Sequence, residues 1–148
     1  MIALIQRVNF AEVTVEGRLV GRIGRGILAL IGVQALDTPA CGSRLLERVL
    51  GYRVFPDEDG RMNRSLADTG GGLLLVPQFT LAADTRKGAR AGFSTAAAPE
   101  AAQALFGQFV AEARRRHPEV ATGEFGAHMR VALENDGPVT FWLEAHAG

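Results

Sequence analysis

Over the first thirty or so residues the apolar positions fall into short runs, Ile2 to Val8, Ala11 to Val15, Leu19 to Ile23 and Ile27 to Val33, that alternate or are continuously apolar. Turn formers separate them at Glu16-Gly17 and Gly24 to Gly26, so the pattern predicts a β-meander. A helix is expected next: Asp37 or Thr38 stands at the N-cap and Pro39 at the first position. Cys41, Leu45, Leu46, Val49 and Leu50 form its apolar face, and Gly51 lies just past its end. Tyr52 to Phe55 reads as a strand and Pro56 to Gly60 as a surface turn leading to Met62-Asn63. Gly70 to Gly72 lets the chain enter the most apolar strand, Leu73 to Val76, which runs into Pro77-Gln78-Phe79-Thr80-Leu81 and a polar loop ending near Phe93.

From Pro99 onward Ala102, Leu105, Phe106, Phe109, Val110 and Ala113 recur at the spacing of one buried helical face. From Glu124 to Leu133 the pattern alternates, with Phe125, Ala127, Met129, Val131 and Leu133 to one side. Asn135-Asp136-Gly137-Pro138 breaks the alternation before a last strand, Val139 to Leu143. The sum is an α+β architecture, a largely antiparallel sheet with two main helices packed on it.

Composition narrows this picture rather than changing it. The 148 residues suit one domain, 1–148, and 47% hydrophobic with 22% charged residues is a folding composition. No apolar run has the length of a membrane span, and the first residues lack the layout of a secretory signal, so a cytoplasmic location is expected. The lone cysteine, Cys41, reads as a small core residue.

Sixteen basic residues balance sixteen acidic ones, so net charge does not single out nucleic acid as a partner. Two local clusters, Arg86, Lys87 and Arg90 in a loop and Arg114 to Arg116 at a helix end, could meet phosphates. A solvated loop and a helix-dipole complement are the plainer readings.

Familiar hydrolase chemistry is missing from the inventory. The sequence has no G-x-S-x-G elbow, no H-E-x-x-H and no C-x-x-C, and His117, His128 and His146 have no metal-ligand spacing. No metal or cofactor is expected. His117 is expected at the surface, steadied by the end of its helix, and His128 on the polar face of a strand. Asp57, Glu58 and Asp59 fall together in a turn, as a solvated charge run does. Two irregular spots remain at strand ends, Pro77 to Leu81 and Asn135 to Thr140, where backbone polar groups can meet a ligand, although each also suits an ordinary turn.

Those two spots carry a family resemblance. Val76-Pro77-Gln78-Phe79-Thr80-Leu81 resembles the S-Q-F-T-L motif of the D-aminoacyl-tRNA deacylases, and Asn135 to Thr140 resembles their N-x-G-P-V-T motif. Gln6-Arg7-Val8, Val20-Gly21, Ile23-Gly24, Met62 to Ser65, Lys87-Gly88 with Arg90, and Gly123 to Met129 extend the likeness over essentially the whole chain. Two positions depart from the pattern: Pro77 stands where the family usually has serine, and Ala91-Gly92-Phe93 where it tends to have Pro-Ser-Phe.

The resemblance implies a barrel-like core and a homodimer with active sites at the subunit interface. Gln78, Phe79 and Thr80 would be catalytic, facing Gly137-Pro138 of the partner subunit, whose cis peptide carbonyls exclude L-amino acids. Arg7 would steady that motif, and Phe125 and Met129 would line the site of the terminal adenosine. The implied substrate is the 3′ end of a D-aminoacyl-tRNA, or of glycyl-tRNA mischarged on tRNA-Ala, with no DNA expected.

Two mechanisms stay open: attack by Thr80, or attack by water with backbone N–H groups around Phe79 and Thr80 holding the oxyanion and the substrate 2′-hydroxyl assisting. Two other functions also stay open, a deacylase of the same fold correcting L-alanine, and a non-catalytic binding module like animal proteins of this fold linked to replication origins.

Overall fold

A computed structural model describes residues 1–146. In chain order its elements are β1 (Ile2–Val15), β2 (Arg18–Ile23), β3 (Gly26–Gly32), α1 (Pro39–Gly51), β4 (Phe55–Pro56), β5 (Met62–Arg64) and α2 (Leu66–Thr69). There follow β6 (Gly72–Pro77), a 3-10 turn (Phe79–Ala82), α3 (Pro99–Arg116), β7 (Val120–Thr122) and β8 (Arg130–Glu144).

The two runs expected as separate strands, Ile2 to Val8 and Ala11 to Val15, join into β1 because its two halves have different neighbours on one side and the same neighbour on the other. Residues 2–8 pair antiparallel with β3 and residues 11–15 with β2, while β8 runs antiparallel along nearly the whole opposite edge. Two pairings are parallel, β3 with β6 and β6 with β7. β7 is not legible in the sequence, because three half-buried residues carry too little pattern. It returns the sheet toward β2, where Gly21 lies so close to the Thr122 carbonyl that a β-carbon there would overlap it. The sheet is therefore a nearly closed barrel with β8 flanking it.

Two apolar clusters explain the uninterrupted hydrophobicity of β3 and β6, which are covered on both faces. Leu28, Leu74 and Val76 point into the barrel with Val8, Ala11, Val13 and Ile23. Ile27, Ala29, Ile31, Leu73 and Leu75 point outward and are covered by Leu45, Leu46 and Val49 of α1 and Phe106, Phe109 and Ala113 of α3. Thr38 is the N-cap of α1 and Pro39 its first residue, as the sequence predicts, and buried Cys41 lies beneath it, its Sγ accepting from the Thr38 amide at 3.4 Å.

The expected strand at Tyr52 to Phe55 shrinks to β4, which forms a small hairpin with β5. Asp57 closes its turn by accepting from the amides of Asp59 and Arg61 and from the Asn63 side chain. His117 is a correction. It is buried, not at the surface, because its Nε2 makes a 2.6 Å hydrogen bond with the Gly71 carbonyl and ties the end of α3 to the glycine run before β6. His128 is exposed as expected, but lies in the turn before β8 and not on a strand. No helix among the described residues is long and apolar enough to cross a membrane.

Candidate active site

β6 delivers the first irregular spot. Pro77 is its last residue, the Gln78 amide donates to the Ile31 carbonyl at 2.8 Å, and the chain then tightens into the 3-10 turn. A proline can end this strand because the next amide, not its own, makes the contact with β3. Phe79 and Thr80 open the turn, and their amide N–H groups donate to no backbone carbonyl among the described residues, as the first donors of any helical turn do not. The Gln78 side chain donates to Thr80 Oγ1 at 2.8 Å. No carboxylate or imidazole among the described residues bonds that hydroxyl. Gln78 and Phe79 line a narrow crevice of about 20 Å³ with Pro77, Phe106 and Phe125.

Phe125 packs against Phe106 of α3, ring centroids 6.3 Å apart. It is carried on the 123–129 turn, where the Glu124 amide donates to Met129 Sδ at 3.3 Å. Met129 itself packs against the barrel interior and is not among the residues lining the crevice. Its contact with this site runs through the turn that bears Phe125.

The second spot is a break in the β1–β8 ladder. Gln6 pairs with Thr140 and Val8 with Asn135, so Asp136, Gly137, Pro138 and Val139 bulge out opposite Arg7 alone. The sequence suggests that this segment ends one strand and starts another; the ladder resumes with β1 on both sides of it, which makes it an interruption within β8 instead. Asn135 holds the bulge, its Oδ1 accepting from the Val139 amide at 2.8 Å and its Nδ2 donating to the Val139 carbonyl at 3.2 Å.

Arg7 clasps the bulge from beneath. Its Nε donates to the Asp136 carbonyl at 2.9 Å and lies 3.2 Å from the Asp136 carboxylate, while its Nη1 donates to the Val54 carbonyl at 2.6 Å. The Gly137-Pro138 peptide is cis, and both residues are exposed. A β-carbon on Gly137, at φ 158°, would overlap the Val139 amide nitrogen.

The expected site residues thus form two groups, Gln78, Phe79, Thr80 and Phe125 around the crevice, and Arg7 with Gly137 and Pro138 at the bulge. No hydrogen bond or ring contact among the described residues joins them within one chain. Asn135 stands out in the sequence only as part of a motif, although its position four residues before Val139 is what lets a short amide span the bulge. Phe93 stands out as the end of a polar loop and as the residue shared with the family's Pro-Ser-Phe stretch; its ring packs on Phe79 with centroids 5.3 Å apart.

The loop between these phenylalanines is closed by paired amide–carbonyl bonds between Asp84 and Gly92. Hydrogen bonds from the Arg86 side chain and backbone hold the pKa of the Asp84 carboxyl down at about 2. Among the described residues, no three His, Cys, Asp or Glu side chains converge as a metal site requires.

Residues 4–144 match the model of the D-Tyr-tRNA(Tyr) deacylase family. A D-aminoacyl-tRNA deacylase of Thioalkalivibrio sulfidiphilus is 69% identical over 144 residues, covering 97% of each chain. That of Azotobacter vinelandii is 63% identical over 145 residues, covering 98% of this chain and all of its own. Among solved structures, a c-Myc DNA Unwinding Element Binding Protein superposes with a TM-score of 0.95 at 38% identity, covering 99% of this chain and 100% of the other. One described as "Structural Analysis of a probable eukaryotic D-amino acid tRNA deacylase" has a TM-score of 0.83 at 20% identity over 97% of this chain and 98% of its own, a likeness of fold.

Proposed function

The chain belongs to the D-Tyr-tRNA(Tyr) deacylase family, and from that premise we propose that it hydrolyses the ester between a D-amino acid and the 3′ end of its tRNA, and likewise glycine mischarged on tRNA-Ala. Water attacks the ester carbonyl, the bond to the ribose oxygen breaks, and that oxygen leaves with a proton as the free amino acid departs. The substrate's own 2′-hydroxyl assists the attack. Charge developing on the carbonyl oxygen is met by the amides of Phe79 and Thr80.

The observation that carries this reading is the pairing of those two free amides with a Thr80 hydroxyl whose side-chain neighbour is an amide, not a base. A threonine needs a base to become a nucleophile, whereas preorganised N–H donors act without one.

Selection is proposed to be steric. In a homodimer the crevice of one subunit would face Gly137 and Pro138 of the partner subunit, whose main-chain carbonyls leave no room for an L side chain. The separation of the two residue groups within one chain supports that arrangement, and the Arg7 and Asn135 contacts give the bulge the rigidity such a filter needs. A cytoplasmic location fits a substrate of translation.

The test is release of amino acid from paired D- and L-tyrosyl-tRNA. D-tyrosine alone should be freed. Release of both would indicate relaxed correction of L-residues, and release of neither would leave the binding-module reading. The complete pair of motifs, shared with relatives named as deacylases, disfavours that last reading.

A further inference from the structure

Phe79 and Phe93 are 65% and 46% exposed, an unusual investment of aromatic surface in a chain with eight phenylalanines. Their rings lean on one another at 5.3 Å and 41°. Phe79 also lines the crevice with Phe125, so the order across the surface runs from crevice to Phe79 to Phe93. The 84–92 loop, closed by the Asp84–Gly92 amide–carbonyl pair, leads directly into Phe93. Its Arg86 is taken up by Asp84, but Lys87 and Arg90 are exposed and make no ion pair among the described residues. A π-face beside free cations matches a base and its phosphate: single-stranded nucleic acid is held by stacking on aromatic rings within a positive groove.

On the deacylase reading above, the ester lies at the Phe79 and Thr80 amides with the terminal nucleoside over the surface beside them, and we infer that Phe93 is a stacking platform for the base of the penultimate nucleotide, with Lys87 and Arg90 meeting the phosphates that follow. This subsite adds affinity for tRNA over a free aminoacyl nucleoside. It sets KM and leaves the chemical step alone, since Phe93 reaches the reacting ester only through Phe79. Any base has a π-face, so the platform tolerates sequence.

Three substrates test this with the full-length protein: D-tyrosyl-tRNA, the same tRNA lacking its penultimate base, and D-tyrosyl-adenosine. Removing the base should raise the wild-type KM about tenfold, within the range for loss of one stacked base. Phe93→Ala should raise KM for intact tRNA by the same factor, without adding to the effect of the missing base and without changing turnover of D-tyrosyl-adenosine. Phe93→Trp should restore the wild-type KM. Replacing Lys87 and Arg90 with alanine should flatten the salt dependence of KM by about 0.7 per charge removed.

Equal KM for intact and base-lacking tRNA in the wild type would overturn the proposal, and that comparison needs no variant to fold. So would a Phe93→Ala protein impaired equally on all three substrates, which would mean that Phe93 merely props Phe79. Failure of the wild type to release D-tyrosine from any substrate would instead remove the deacylase reading itself.

Discussion

At the scale of single residues, the proposed catalysis depends on amides more than on side chains, and substitutions should reveal this. Phe79→Ala and Phe79→Pro both remove the ring, but only proline removes the N–H. Gln78 is extended, at φ −140° and ψ 93°, so a proline can follow it. The proline variant should be slower than the alanine variant by about 10²–10³-fold, the usual worth of one oxyanion donor, in single-turnover deacylation. Thr80→Ala should stay within about tenfold of wild type; a loss as large as that of Phe79→Pro would restore the threonine nucleophile. Gly137→Ala should fold but lose most D-substrate turnover, since the added methyl overlaps the Val139 amide and displaces the bulge. Retained turnover would show that the bulge has slack. The segments 77–81 and 135–140 are visible in the sequence as irregular strand ends, but each also suits an ordinary turn, and only the family resemblance singles out Gln78, Phe79, Thr80, Gly137 and Pro138 within them. The role proposed for Phe93 is concealed there, since an aromatic at the close of a polar loop has no periodicity to violate.

At the scale of elements, the loops and turns are tied by short polar contacts whose pH range can be stated. Asp84 has its folded-state pKa lowered from the ordinary 3.8 to about 2, through Arg86. A lowered carboxyl stabilises where the unfolded group would also be ionised, so the tie is complete above about pH 4 and is lost as pH falls through about 2. The Asp84 side-chain carbon signal should titrate near 2 in the wild type and move toward 3.8 in Arg86→Ala, while unchanged titration would place the cause elsewhere. Long periodic elements such as α1 and α3 are legible in the sequence because each buries one continuous stripe. β7, α2 and the 3-10 turn are not, because three or four residues carry too little periodicity: β7 is fixed by pairing with β6, while α2 rests on the local Ser65–Asp68 capping box and the 3-10 turn on bonds to its own Gln78 and Thr80 carbonyls. β8 is half legible: its alternation is visible, yet only its pairing with β1 makes the segments on either side of Pro138 one strand.

For the whole molecule, barrel closure and the proposed dimer each make a measurable demand. Gly21→Ala should lower unfolding stability by about 1–3 kcal/mol in urea, the usual range for overpacking, because the added methyl meets the Thr122 backbone carbonyl, which pairing with β6 holds in place. If two copies complete each site, sedimentation at micromolar concentration should give twice 15.8 kDa, and dilution to monomer should abolish deacylation. A fully active monomer would contradict the shared site.

The long β1–β8 ladder has a further implication for biosynthesis. Ile2 pairs with Glu144 and Thr14 with Arg130, so β1, the earliest made of these strands, is hydrogen-bonded along one edge by β8, the latest made of them. Until β8 is made that edge stays open, with only the β2 and β3 side available for early pairing. Such long-range closure slows folding and exposes unpaired strand to neighbouring chains on a polysome. Synthesis rate, and not native stability alone, therefore bears on how much of this protein reaches its final form.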